Sequence, residues 1–138
     1  SKVAHLASSF GMKVYYFDIQ RRLDLESKYG YRYMSLKELY QQSDVISLHL
    51  HLNDETRGMI SSTEIKLMKK QAVLINVSRA ELIEREPLTD ALLNGGIAGL
   101  GLDVFYEEPT LANDPLLMHE LKVRHINCKQ LRNISGKE

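Results

Sequence analysis

The sequence has no tryptophan, a single cysteine and three prolines among its 138 residues. The lone Cys128 excludes an intramolecular disulfide, and no cysteine and histidine spacing matches a zinc finger, so we expect a reducing, cytoplasmic compartment and no structural metal. No apolar stretch approaches the roughly 18 residues that a membrane-spanning helix needs, and the first residues do not resemble a signal peptide. The sequence therefore predicts a soluble protein without a membrane partner.

An excess of charge of either sign is also lacking. The 18 basic and 18 acidic residues cancel, and no run of like charge stands out. A nucleic acid partner would call for a basic patch, so we expect none, whereas a small polar or anionic ligand stays compatible with this balance. The length suits one domain with its own core.

Apolar runs alternate along the chain with segments of helical spacing. The strands predicted are 13–18, 31–34, 44–50, 72–78, 97–104 and 121–126, and the helices are 3–10, 23–29, 35–42, 61–68 and 86–93. The longer apolar runs do not alternate cleanly with polar residues, which is typical of parallel strands covered on both faces. Ser35 with Glu38, and Ser61 with Glu64, have the spacing of a capping box at a helix start. The pattern predicts an α/β fold with a doubly wound parallel sheet.

Asp18 stands at the end of the apolar run 13–18. At the carboxyl end of a strand in a dinucleotide-binding fold, an acid accepts hydrogen bonds from the adenosine ribose and disfavours the 2′-phosphate of NADP. The alternative is a solvated aspartate in a turn. Arg21 and Arg22 follow closely and are able to neutralise a 2′-phosphate, so the choice between NAD and NADP stays open at this point.

His49 and His51 lie two residues apart at the end of another strand and therefore point to the same side. Such a pair is able to ligate a metal, but no third ligand has a suitable spacing, so we predict no metal site.

Arg79 follows directly after the apolar run 72–78. Its planar guanidinium matches a carboxylate in two parallel hydrogen bonds, so at the ligand edge of a sheet it suits a clamp for an acid substrate. The alternative is a surface ion pair with Glu81 or Glu84, and spacing alone does not decide between the two.

Asp103 lies at the end of the last, glycine-rich strand, and two further acidic residues, Glu107 and Glu108, lie beyond it. A carboxylate in this place is able to orient a histidine and raise its basicity, although acidic residues before a proline are often only solvated. The glycines of "GGIAGLG" lead into a strand and do not open a helix, so they do not indicate a phosphate-binding loop.

Four motifs in order, "DVISLHLHLNDETRGMI", "LINVSRAELIE", "ALLNGGIAGLGLDVFYEEP" and "NDPLL", resemble the nucleotide-binding domain of the D-isomer-specific 2-hydroxyacid dehydrogenases. The resemblance runs from about Val3 to Leu117. It implies a Rossmann-like fold, NAD as cofactor, and oxidoreductase chemistry on the CH–OH group of a small 2-hydroxy acid or on the corresponding 2-oxo acid.

The resemblance also implies a role for each matching position. In this family the arginine holds the substrate carboxylate, and a glutamate pairs with the histidine that exchanges a proton with the substrate while hydride moves to or from the nicotinamide. The cofactor-binding positions are Asp18, Leu50, His51, Thr56, Val77, Ser78 and Asp103, and the catalytic positions are Arg79, Glu108 and His125.

Departures from the family pattern modify these expectations. The glycine-rich loop and the strand before it are not seen, so we expect residues 1–127 to form an incomplete NAD-binding domain with weakened cofactor binding, followed by a tail at 128–138, with no substrate domain and with no activity. The alternative is a non-catalytic, NAD(H)-responsive or protein-interaction module, related to corepressor members of the family. His125 lacks the preceding Thr-Pro, His51 replaces a proline, and Ala80 replaces a glycine, which would strain the chain if positive φ were needed there.

The strand that would lie between 13–18 and 44–50 is the one not seen. We therefore expect one of two arrangements: these two strands pair directly in a rearranged sheet, or a second copy completes the sheet in a swapped dimer.

Overall fold

The computed structural model describes residues 2–107 and 114–118. Helices and parallel strands alternate along this part of the chain, as the sequence predicts. The helices are α1 (Lys2–Ser9), α2 (Leu23–Tyr29), α3 (Leu36–Gln42), α4 (Ser62–Leu67), α5 (Arg85–Leu93) and α6 (Pro115–Met118), with a 3₁₀ turn at Ala80–Leu82. The strands are β1 (Tyr15–Tyr16), β2 (Arg32–Tyr33), β3 (Val45–Leu48), β4 (Val73–Asn76) and β5 (Gly99–Leu102).

Local side chains determine where the helices begin and end. Both predicted capping boxes form, since the Ser35 and Ser61 side chains accept backbone N–H groups of the first helical turn, while the Glu38 and Glu64 carboxylates accept the backbone N–H groups of Ser35 and Ser61. Gly95, with a φ of 67°, follows the last turn of α5 in a conformation that side-chain-bearing residues avoid. These short-range signals explain why the predicted helices match the observed ones closely.

The strands form two separate sheets. One contains β1 and β2, and the other has the order β3-β4-β5. All pairs are parallel, with Tyr15 opposite Arg32 in the first sheet and Ile46 opposite Leu74 in the second. The predicted direct pairing of strands 13–18 and 44–50 is therefore wrong. β1 is bonded along one edge to β2, and β3 is bonded along one edge to β4. The other edges of β1 and β3 are not bonded to each other.

An apolar cleft of about 730 Å³ lies between these two sheets. Val3 and Ala7 of α1, Tyr15 of β1 and Val45 of β3 contribute to its lining. Along a strand, the backbone N–H and C=O groups of successive residues point to opposite sides. The carbonyls of Val14 and Asp44 accept hydrogen bonds from the paired strands. The backbone groups of Tyr15 and Val45 therefore point away from these partners, toward the cleft. We call this space the inter-sheet cleft.

The core lies beneath the three-stranded sheet. Ile60, Leu74, Leu82 and Leu88 are fully buried there, whereas α1 and α2 contain no buried residue. The stable part of the described chain is therefore the β3-β4-β5 sheet with its helices.

Several predicted features lie outside the described residues: the strand at 121–126, the tail at 128–138, Glu108 and His125. Within the described ranges, no helix is long and apolar enough to cross a membrane.

Candidate functional site

The ends of β3, β4 and β5 meet at one edge of the larger sheet. The Ser78 Oγ, just after β4, donates a 3.0 Å hydrogen bond to the carbonyl of Leu48 at the end of β3. On the other side, the N–H of Asp103 donates to the carbonyl of Asn76 over 3.1 Å. The predicted positions that follow these strands are thus tied together by short bonds at the carboxyl edge, where open α/β sheets bind their ligands.

Asn76 shapes the turn that carries Ser78 and Arg79. Its side chain is fully buried, its Nδ2 donates to the Arg79 carbonyl over 2.7 Å, and its Oδ1 accepts the Ser78 N–H over 3.1 Å. The sequence reasoning did not assign it a role. The available signal was its place: an amide two residues after Leu74, and so on the same inward face of an apolar strand.

Arg79 is exposed at this edge, and its Nη1 donates to the Ser78 carbonyl over 2.7 Å. Among the described residues it forms no ion pair within 4.0 Å, so the surface pair with Glu81 or Glu84 is not formed. Glycine is also not required at Ala80, because no non-glycine residue of the described ranges has a positive φ. The expected strain at this position is therefore absent.

The segment after β3 is folded by its own polar side chains. Thr56 Oγ1 donates to the His51 carbonyl over 2.7 Å and accepts the Asn53 N–H over 2.9 Å. His51 itself is exposed, while the Nε2 of His49 lies 2.9 Å from Ser47 Oγ. The two histidines therefore have different surroundings, and the described residues contain no group of three side chains suited to a metal.

Asp18 lies after β1, on the rim of the inter-sheet cleft. Its Oδ1 accepts the N–H of Gln20 over 3.0 Å, which folds the chain back toward α2. Arg21 and Arg22 are both bonded to carboxylates of that helix. Hydrogen bonds from Arg21, the largest contribution, lower the pKa of Glu26 to about 2, so this carboxylate stays ionised at neutral pH.

This arrangement fits a dinucleotide. It combines parallel strands, helices between them, an acid after β1 and hydroxyl groups at the carboxyl edge of the larger sheet. The chain therefore has the architecture of a Rossmann-like dinucleotide-binding domain.

Comparison with known proteins narrows this class. The family model described as "D-isomer specific 2-hydroxyacid dehydrogenase, NAD binding domain" matches residues 1–125. The chain belongs to this family. The predicted Rossmann-like fold and the prediction of NAD as the cofactor are thereby confirmed.

Individual relatives agree with the family. The glyoxylate reductase of Aeropyrum pernix is 44% identical over 116 residues, which are 84% of this chain and 35% of that protein. The D-lactate dehydrogenase of Aquifex aeolicus, solved with NAD and lactic acid, is 44% identical with a TM-score of 0.74, over 77% of this chain and 32% of the other. A putative D-3-phosphoglycerate dehydrogenase from Ralstonia solanacearum has a TM-score of 0.78 at 37% identity, over 85% of this chain and 34% of the other. The chain thus spans about a third of the length of these relatives.

Proposed function

We propose that this chain is the NAD-binding part of an enzyme that interconverts a small 2-oxo acid and its 2-hydroxy acid. The observation that carries the proposal is the position of Arg79. It is an exposed cation at the carboxyl edge of the sheet, without a carboxylate partner in the described ranges, on a turn held by the buried Asn76. A guanidinium presented in this way is suited to binding a substrate carboxylate.

The roles of the remaining residues follow from this chemistry. Arg79 orients the acid through its carboxylate, Glu108 and His125 act as the pair that moves a proton at the substrate oxygen, and bound NAD supplies the hydride donor or acceptor. Asp18 binds the adenosine ribose. The other proposed cofactor contacts are Leu50, His51 and Thr56 on the adenosine side and Val77, Ser78 and Asp103 on the nicotinamide side.

The substrate class is proposed from the carboxylate that Arg79 is suited to bind and from the small acids named for the relatives. One relative is named for glyoxylate and another was solved with lactic acid, and both are small acids. We also propose a cytoplasmic location, and a division of the chain into a domain at 1–127 and a tail at 128–138.

The test of this function is acid binding that depends on Arg79. Calorimetry on the NADH-loaded chain should detect glyoxylate, and Arg79→Gln should weaken its binding at least tenfold while NADH affinity stays unchanged. Arg32→Gln, at an exposed arginine of β2, is the matched control. We propose that this chain alone does not turn over substrate, so NADH oxidation with glyoxylate, hydroxypyruvate or pyruvate, followed in parallel, should stay at background; measurable turnover would contradict this. Binding of NADH without any Arg79-dependent effect of the acids would favour the NAD(H)-responsive module instead.

We further propose that the chain forms a homodimer in which an extended segment of the second copy fills the inter-sheet cleft. Support comes from the cleft itself, because Tyr15 and Val45 line it on the edges of β1 and β3 that are not bonded to β2 or β4, and unpaired edges favour strand addition. Sedimentation is expected to give the mass of two chains. A stable monomer at all concentrations would contradict the proposal.

A further inference from the structure

The short segment from Asp18 to Glu26 brings acidic and basic side chains together where the proposed site meets the adenosine ribose. Asp18 closes β1, and its Oδ1 accepts the Gln20 N–H over 3.0 Å. Arg21 and Arg22 come next, and arginines in this position are the groups that accommodate the 2′-phosphate of NADP. What these arginines contact therefore decides which cofactor the segment favours.

Arg21 is held on two sides. Its Nε and Nη2 each donate a 2.8 Å hydrogen bond to a different oxygen of Glu26. Its guanidinium carbon also lies 5.4 Å from the centre of the Tyr33 ring. A forked pair with a carboxylate, combined with stacking on an aromatic ring, fixes both the position and the plane of the guanidinium.

Glu26 is itself fixed by Tyr16. The Tyr16 hydroxyl donates to Glu26 Oε1 over 2.9 Å and accepts the backbone N–H of Arg22 over 2.8 Å. The Glu26 side chain is 18% exposed, compared with 55% for Arg21, so the carboxylate is the more enclosed partner. Because the pKa of Glu26 is lowered to about 2, the pair stays charged under any ordinary assay condition.

Arg22 is paired in the same forked manner. Its Nε and Nη2 donate to the two oxygens of Asp24 over 3.0 and 2.8 Å. Both side chains are about half exposed or more, so this pair alone is weak and a phosphate is able to compete for it. Whether a 2′-phosphate binds here then depends on the net charge of the segment from Asp18 to Glu26. Its three carboxylates outnumber its two guanidiniums by one. A phosphate monoester with a charge of about −1.5 to −2 is repelled by this surplus.

We infer that Glu26 and Asp24 are specificity-determining residues, which favour NAD over NADP: Glu26 holds the guanidinium of Arg21 in a forked pair, and both carboxylates add negative charge that opposes a 2′-phosphate. Asp18 then remains as the group that reads the ribose hydroxyls. The inference rests on the proposed function, because it takes the cofactor to lie beside Asp18. It predicts a preference for NAD despite the two arginines in this segment.

The test measures the ratio of NADPH to NADH affinity by fluorescence titration of the unmodified chain and of variants. We expect the unmodified chain to bind NADH at least tenfold more tightly than NADPH. In Asp24→Asn/Glu26→Gln the ratio should shift by about tenfold or more toward NADPH, because both guanidiniums are released without a change in side-chain size. Asp24→Asn alone changes an exposed side chain and should give a smaller shift in the same direction.

The matched control is Glu86→Gln/Asp90→Asn on α5, which changes the net charge equally but lies in a different helix. A ratio that shifts as much in this control as in the double variant would overturn the inference, and so would an unchanged ratio in a double variant that still binds NADH. Failure of the unmodified chain to bind either cofactor would instead overturn the proposed cofactor site, and this inference with it.

Discussion

Asn76→Ala is expected to lower the free energy of unfolding by about 3 kcal/mol, although the change removes only one small amide. Asn76 is fully buried, and its side chain bonds the Ser78 N–H and the Arg79 carbonyl. The alanine variant leaves both backbone groups without these partners and leaves a small cavity beneath the sheet edge. Urea unfolding followed by circular dichroism measures the loss, and weakened acid binding should accompany it because the turn carries Arg79.

The matched control is Asn94→Ala, at the exposed end of α5, where we expect a cost below about 0.5 kcal/mol.

Asn76→Asp tests the same hydrogen bonds through the pH dependence of stability. An ionised aspartate still accepts the Ser78 N–H, but it faces the Arg79 carbonyl, which repels it. Because this repulsion and burial both disfavour the charged form, we expect the pKa of the new carboxyl to be raised. The stability deficit of this variant relative to the unmodified chain should therefore be small at pH values below the unfolded pKa, and it should grow as the pH rises through the folded pKa. Equal deficits at acid and neutral pH would contradict the assigned hydrogen bonds.

The sequence was most informative where structure depends on near neighbours. The capping boxes at Ser35 and Ser61 depend on residues a few positions apart, and both formed as predicted. Strand pairing depends on distant edges. For this reason the parallel sheet class was predictable, whereas the division into two sheets was not.

The candidate site was likewise predictable from the sequence only in part. The apolar runs place Asp18, Ser78 and Asp103 at strand ends, and the carboxyl ends of parallel strands in one sheet meet at one edge, as those of β4 and β5 do. The role of Asn76 and the pairing of Arg21 with Glu26 depend on side-chain direction, which periodicity does not specify. The catalytic role of Glu108 stays a prediction, because Glu108 lies outside the described residues.

Leu74→Ala should cost about 3 to 5 kcal/mol, the largest loss that we expect from truncating one apolar side chain. Leu74 is fully buried in β4, the middle strand of its sheet, and it pairs in register with Ile46 of β3 and Leu100 of β5. Strands on both sides limit how far the surroundings can relax into the cavity. The midpoint and slope of urea unfolding report the cost.

Leu93→Ala is the matched control, because it removes the same atoms from a side chain of α5 that is 54% exposed. Its expected cost is below about 1 kcal/mol, since little apolar area returns to water.

Val3→Ala on α1 tests whether a second copy covers the inter-sheet cleft in solution. Val3 is 46% exposed in a single chain, so a monomer should hardly respond. A loss at Val3 that grows with protein concentration requires a second copy against α1, because only association makes stability depend on concentration.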